Sequence, residues 1–228
     1  MSPKLLLGPL LLLAALPLVA ADADVQRLKE SGDVLNEIMS ASDKGIPGSV
    51  FHKAYCVIVI PSMKKAGFVF SAKYGRGYAT CRKPDGTGWT APAAMRVEGG
   101  GFGLQIGGSA TDIVLLVMSD KGMQGILASK FTLGGEASVA AGPVGRDATA
   151  QTDATMRADI LSWSRSRGVF GGLSLQGGTM RGDGDVDKAL YGKELSNKEI
   201  LTGKVPPPDG SAPFLDTVAK YGGESRTS

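Results

Sequence analysis

Apolar and polar positions change their period twice along this chain. From Asp22 to Ser42 the apolar residues Val25, Leu28, Val34, Leu35, Ile38 and Met39 fall on one helical face, with Arg27, Lys29, Glu30, Asp33 and Glu37 elsewhere. That spacing predicts an amphipathic helix interrupted by Gly32. Its polar face mixes both signs, which favours packing on a core over lying in a membrane. Gly45-Ile46-Pro47-Gly48 ends it. The middle of the chain then reads as strands. Cys56 to Ile60 is a continuous apolar run closed by Pro61, Gly67 to Lys73 alternates loosely, and Thr111 to Met118 is a second buried-strand pattern. Asp159 to Trp163 and Gly168 to Leu175 resume strand character, with a short helix predicted between Ser119 and Ser129. After Arg181 the pattern is helical again over Val186 to Leu190, Asn197 to Leu201 and Pro213 to Tyr221.

Glycine changes this picture. The cluster Gly99-Gly100-Gly101 with Gly103, Gly107 and Gly108, and the pairs Gly75/Gly77 and Gly134/Gly135, sit among apolar residues. Glycines inside strand patterns mark bulges, corners and close backbone approach, which a curved sheet needs. The predicted fold class is therefore α+β: a curved antiparallel β-sheet, barrel- or sandwich-like, with an N-terminal amphipathic helix and short C-terminal helices. No repeat or linker divides it.

The N-terminus adds a leader. One cation, Lys4, precedes an apolar stretch from Leu5 to Val19 that contains Pro9 and Pro17 and closes with Val19-Ala20-Ala21. This is the pattern of a signal peptide over residues 1–21, cut after Ala21, with a single domain over 22–228 and a periplasmic or secreted location. Losing Lys4 leaves 24 basic against 22 acidic residues, so bulk charge selects no partner. The two cysteines, Cys56 and Cys81, lie in separate strand-like runs. An oxidising compartment permits a bridge, but spacing alone does not decide between a disulfide and two free thiols.

The chemistry-bearing residues are few. His52 is the single histidine and has no nucleophile-elbow serine around it, so a catalytic triad is not expected. Gly99 to Gly108 fits neither dinucleotide nor P-loop spacing. Asp183, Asp185 and Asp187 alternate, with Glu194 where a calcium loop places its bidentate carboxylate, but Lys188 replaces the loop glycine. The default is a solvated acidic turn; no metal and no cofactor is expected. Basic knots at Lys64-Lys65, Lys73 with Arg76, Arg82-Lys83, and Arg165 with Arg167 would make an anion-binding rim if the sheet gathers them. Thin aromatic interleaving argues against nucleic acid.

Several stretches in order carry a more specific signal: Cys56-Val57-Ile58-Val59-Ile60-Pro61 with Lys64 and Lys65, Gly75-Arg76-Gly77, Gly88-Trp89-Thr90-Ala91-Pro92, and Gly107-Gly108 before Thr111-Asp112. Thr132-Leu133-Gly134-Gly135, Ala140 to Arg146, Ser164 to Leu175, and Tyr191-Gly192 before Glu199-Ile200-Leu201 continue the series. This series resembles the SYLF-domain family, a lipid-binding module of bacterial exported proteins and of eukaryotic membrane-traffic and actin-associated proteins. The resemblance implies binding of anionic phospholipid, of phosphoinositide or phosphatidic-acid type, at a membrane or envelope surface, with no catalysis. Arg146, Arg165 and Arg167 match its motif positions, either as head-group ligands or as ties for turns. The lipid-binding set expected here is Lys64, Lys65, Lys73, Arg76, Arg146, Arg165 and Arg167. Phe68, Phe70 and Trp89 are either interfacial or core. The rival reading is a periplasmic structural or protein-interaction module, whose partner is an envelope or host protein and whose lipid affinity is incidental.

Overall fold

The computed structural model describes residues 17–41, 45–67, 70–102, 107–144, 157–166, 169–171 and 177–223. The chain runs through α1 (Pro17–Ser40), α2 (Gly48–Phe51), β1 (Cys56–Gly67), β2 (Phe70–Cys81), β3 (Ala93–Phe102) and β4 (Gly107–Val117). It continues with α3 (Asp120–Leu127), β5 (Lys130–Thr132), β6 (Val139–Ala141), β7 (Ile160–Ser166), β8 (Val169–Gly171) and β9 (Thr179–Gly182). Three helices close it: α4 (Gly184–Tyr191), α5 (Asn197–Leu201) and α6 (Ala212–Gly222). Among the described residues no helix is long and apolar enough to cross a membrane.

All nine strands join one sheet in the order β5-β9-β3-β2-β1-β4-β7-β6, with β8 also on β7. Laid flat, eight strands would span about 33 Å. Yet β5 and β6, at opposite ends, are linked by only residues 133–138, which are folded back by a Gly134 N–H bond to the Ala137 carbonyl (2.7 Å). The sheet must therefore curl, and it forms a half-barrel. Because the chain reaches β6 by rounding that opening instead of by a hairpin, β6 pairs with β7 in parallel. The sheet is the curved, dominantly antiparallel one expected, made mixed by this parallel pair.

Both faces of the curl are buried, which is why β1 reads as an unbroken apolar run. Cys56, Ile58, Ile60, Leu115, Met95 and Phe131 point to the concave side, sealed by Ile126 of α3 and Ile200 and Leu201 of α5. Val57, Val59, Tyr78, Leu116 and Trp163 point to the convex side, under Leu28, Leu35 and Ile38 of α1 and Phe214 and Val218 of α6. Gly32 does not interrupt α1. It lets α6 approach, since a Cβ there would lie 2.7 Å from the Pro213 carbonyl oxygen.

Pro61 likewise does not end its strand. The register of β1 shifts between Ile60 and Met63, Ser62 takes φ 49°, and pairing resumes to Gly67. A bulge tolerates the missing proline N–H. Gly77 receives the bulge, because a Cβ there would lie 1.8 Å from the Val59 carbonyl oxygen.

The helix expected after Ser119 is α3, and Ser119 caps it by accepting from Gly122 N–H (3.0 Å) while donating to Asp159 (2.5 Å). Partial burial opposes ionisation of Asp159, but hydrogen bonds from Ser119 and Ser138 hold its carboxyl below the usual range. Ser119→Ala removes the cap and one of those bonds. It is expected to cost about 2 kcal/mol in urea unfolding.

Candidate membrane-facing site

Four neighbouring strands, β4-β1-β2-β3, continue beyond the covered core. Their end is built of small residues: Ala66, Ala72, Gly100, Ser109 and Ala110 are exposed, and Gly99 lies between them. Into this thin rim the register sets Lys65 directly opposite Lys73, and Lys64 opposite Tyr74. Strand alternation puts Lys65 and Lys73 on the concave side with Met63, and Lys64 and Tyr74 on the convex side. Tyr74 is 43% exposed, an uncommon state for a large aromatic in this fold. Like charges facing each other across a ladder destabilise it, and no carboxylate among the described residues pairs with these lysines. The arrangement suits an external anion.

Arg76 lies one step inward on the convex side, and there the chemistry changes. Its Nε sits 2.8 Å from Asp183, which is 1% exposed and also 3.8 Å from Arg96. Arg96 and Arg181 in turn share Glu98, at 3.2 Å and 2.9 Å. Asp24 and Arg27 of α1 close a crevice over Arg76 and Tyr78, where the Tyr78 hydroxyl donates to the Asp24 carbonyl (2.9 Å). Burial pushes the Asp24 carboxyl up, against the pull of Arg27 and Arg76.

The other expected ligands divide. Arg165 is a clamp and not a free head-group ligand: it forks onto Asp112 (2.7 Å) and pairs with Glu37, so it fixes α1 to β4 and β7. Its role was set by carboxylates far away in sequence. Arg146, Arg167 and Phe68 lie outside the described residues, as does the side chain of Phe70. Trp89 is buried beneath Arg82, whose guanidinium stacks 4.4 Å from its ring and donates to the His52, Ala54 and Gly222 backbone carbonyls.

The calcium pattern comes apart. Asp183 turns to the arginines, Asp187 accepts from Ala94 N–H (2.8 Å), and Glu194 pairs with Lys188 (3.0 Å), leaving Asp185 exposed. Among the described residues no acidic, histidine or cysteine group gathers as metal ligands do. Cys56 and Cys81, directly opposed in β1 and β2, are bridged.

Sequence reasoning missed Arg96, Arg181 and Lys130. Alternation was readable in Met95-Arg96-Val97-Glu98, which marks Arg96 and Glu98 as facing away from the concave core. Nothing local, however, tells which strands become neighbours.

Known proteins match most of this chain. A family model described as "Ysc84: Las17-binding protein actin regulator" matches residues 98–221. Protein YSC84 of Saccharomyces cerevisiae is 35% identical over 185 residues, 79% of this chain and 38% of its own length. LAS seventeen-binding protein 3 of the same organism is 35% identical over 79% of this chain and 39% of its own length. SH3 domain-containing YSC84-like protein 1 of Homo sapiens is 32% identical over 79% of this chain and 54% of its own. The chain thus spans about half or less of the length of these relatives, one of which is named for binding LAS seventeen. With more than half of its residues matched by the family model, from the glycine-rich end of β3 through α6, this chain belongs to the Ysc84 (SYLF) family.

Proposed function

We propose that this domain binds anionic phospholipid at a membrane surface, without catalysis, and that it does so as an exported protein after removal of residues 1–21. The observation that carries the reading is the opposed pair Lys65 and Lys73 on an uncovered sheet end, with Lys64 and Tyr74 beside it. Strand register sets three lysines side by side, so their charges add at a negative surface, and an amphipathic aromatic ring suits the boundary between water and lipid. Small neighbours let the rim approach head groups closely.

A second reading has support from the relatives: one is named for binding Las17, so the same rim could dock a protein. Vesicle sedimentation separates the two. The protein is expected to sediment with phosphatidylcholine vesicles only when they contain phosphatidylglycerol or phosphatidic acid, and to be released by high salt. At about 1 kcal/mol per basic residue near an anionic surface, Lys64→Ala/Lys65→Ala/Lys73→Ala should weaken binding on the order of 100-fold. Equal binding to neutral and anionic vesicles, or none to either, would abandon the lipid reading in favour of the protein one.

A further inference from the structure

A row of four cations crosses four adjacent strands on the convex face. Arg76 of β2 is the register partner of Arg96 in β3, Arg96 of Arg181 in β9, and Arg181 of Lys130 in β5. At the spacing of neighbouring strands the row is about 14 Å long. Three successive like-charge pairs oppose folding instead of assisting it. Besides Asp24 of α1, which acts on Arg76 at the inner end, two carboxylates pair with the four cations, and they differ in kind. Asp183 is buried and fixed between Arg76 and Arg96, whereas Glu98, 36% exposed, lies at the surface between Arg96 and Arg181. The outer half of the row therefore keeps an excess of positive charge. Arg181 is 37% exposed, and Lys130 is exposed.

We propose that Arg96, Arg181 and Lys130 form a head-group phosphate site, separate from the lysine rim, in which Glu98 holds the place of the anion until lipid arrives. The proposal rests on the membrane reading above and deepens it. Guanidinium forks match phosphate oxygens in pairs. With Asp183 held closest by Arg76, the three cations Arg96, Arg181 and Lys130 against Glu98 leave two positive charges at the site, which suits a phosphomonoester carrying nearly two negative charges near neutral pH better than a singly charged phosphodiester. The row stands one alternation step inward from the Tyr74 and Glu98 pair, so a head group reaching it would be attached to a bilayer already met by the rim.

The test uses the full chain and vesicles of phosphatidylcholine doped with phosphatidic acid, a phosphomonoester, or with phosphatidylglycerol, a phosphodiester, matched in surface charge. Wild type should prefer phosphatidic acid. Glu98→Gln should tighten that binding about tenfold, the worth of one charge-assisted hydrogen bond released from competition. Arg181→Gln/Lys130→Ala should bring phosphatidic acid down to the phosphatidylglycerol level and leave phosphatidylglycerol binding, which uses the rim, unchanged. Melting temperatures establish that each variant is folded. Loss of both lipids alike in the double variant, or no gain with Glu98→Gln, overturns the site while the membrane reading stands; wild type that ignores every anionic vesicle overturns that reading as well. Saturable binding of inorganic phosphate without vesicle binding would replace the lipid by a soluble anion, and polyglutamate binding as tightly as phosphatidic acid would assign the row to a protein partner.

Discussion

Replacing Asp187 with asparagine is expected to stabilise the protein above pH 7, by as much as about 4 kcal/mol. Asp187 is 1% exposed; its Oδ1 accepts from Ala94 N–H at 2.8 Å, and its Oδ2 is buried with no partner among the described residues. Burial pushes its carboxyl up to about 7, the Ala94 hydrogen bond pulls the other way, and the Asp183 charge adds to the rise. In the unfolded chain the group ionises near its ordinary value of 3.8. Between that value and about 7 the unfolded state has released its proton while the folded state still holds it, so stability falls as pH rises through this window and levels off above it. Three pH units at about 1.4 kcal/mol each set the ceiling. Asparagine keeps an oxygen for Ala94 and carries no charge to desolvate. Urea unfolding of both proteins at pH 4 and pH 8 measures the difference; a gap that does not widen with pH would show that Asp187 ionises freely in the fold.

Asp183, one helical turn earlier, should behave in the opposite way. Asp183→Asn is expected to destabilise the domain by about 3 kcal/mol. The carboxylate stands between the guanidinium groups of Arg76 and Arg96, and its own N–H donates to the Ala94 carbonyl (2.9 Å). Removing one partner of a buried ion pair costs about 3 to 5 kcal/mol because the other charge is left uncompensated. Here both arginines reach solvent, at 35% and 22% exposure, which draws the cost to the lower end. The loss is read as a lower urea midpoint at neutral pH. A change below about 1 kcal/mol would mean that water, and not Asp183, satisfies the arginines.

These two acids also show where the sequence stops being informative. Asp183, Asp185 and Asp187 alternate in the chain as ligands of a cation would, but α4 begins at Gly184 and turns them to different sides. The elements themselves were legible where period and punctuation agreed: α5 spans Asn197–Leu201 as its pattern predicts, and Ser119 opens α3. Gly32 and Pro61 misled because each answers a distant neighbour, α6 in one case and the β1 bulge over Gly77 in the other. Lys64 and Lys65 follow the proline at which the strand was expected to close, so their register with Tyr74 and Lys73 emerges only because β1 resumes beyond the bulge. Arg76 and Arg165 looked like equivalent free cations until Asp183, Asp112 and Glu37 claimed them. Arg96, Arg181 and Lys130 come from three strands separated by long stretches of chain, and only the sheet order aligns them. The disulfide has the same logic, since the register Cys56 to Cys81 closes a question that compartment alone left open.

The proposed function puts the binding surface at one end of the half-barrel. The most direct test of that location is hydrogen exchange of the backbone amides with and without anionic vesicles. The account predicts slowed exchange in residues 64–67, 70–74, 99–102 and 107–110, with α1 and α6 unchanged; slowing confined to α1 and α6, with the strand ends exchanging as they do in free protein, would contradict it.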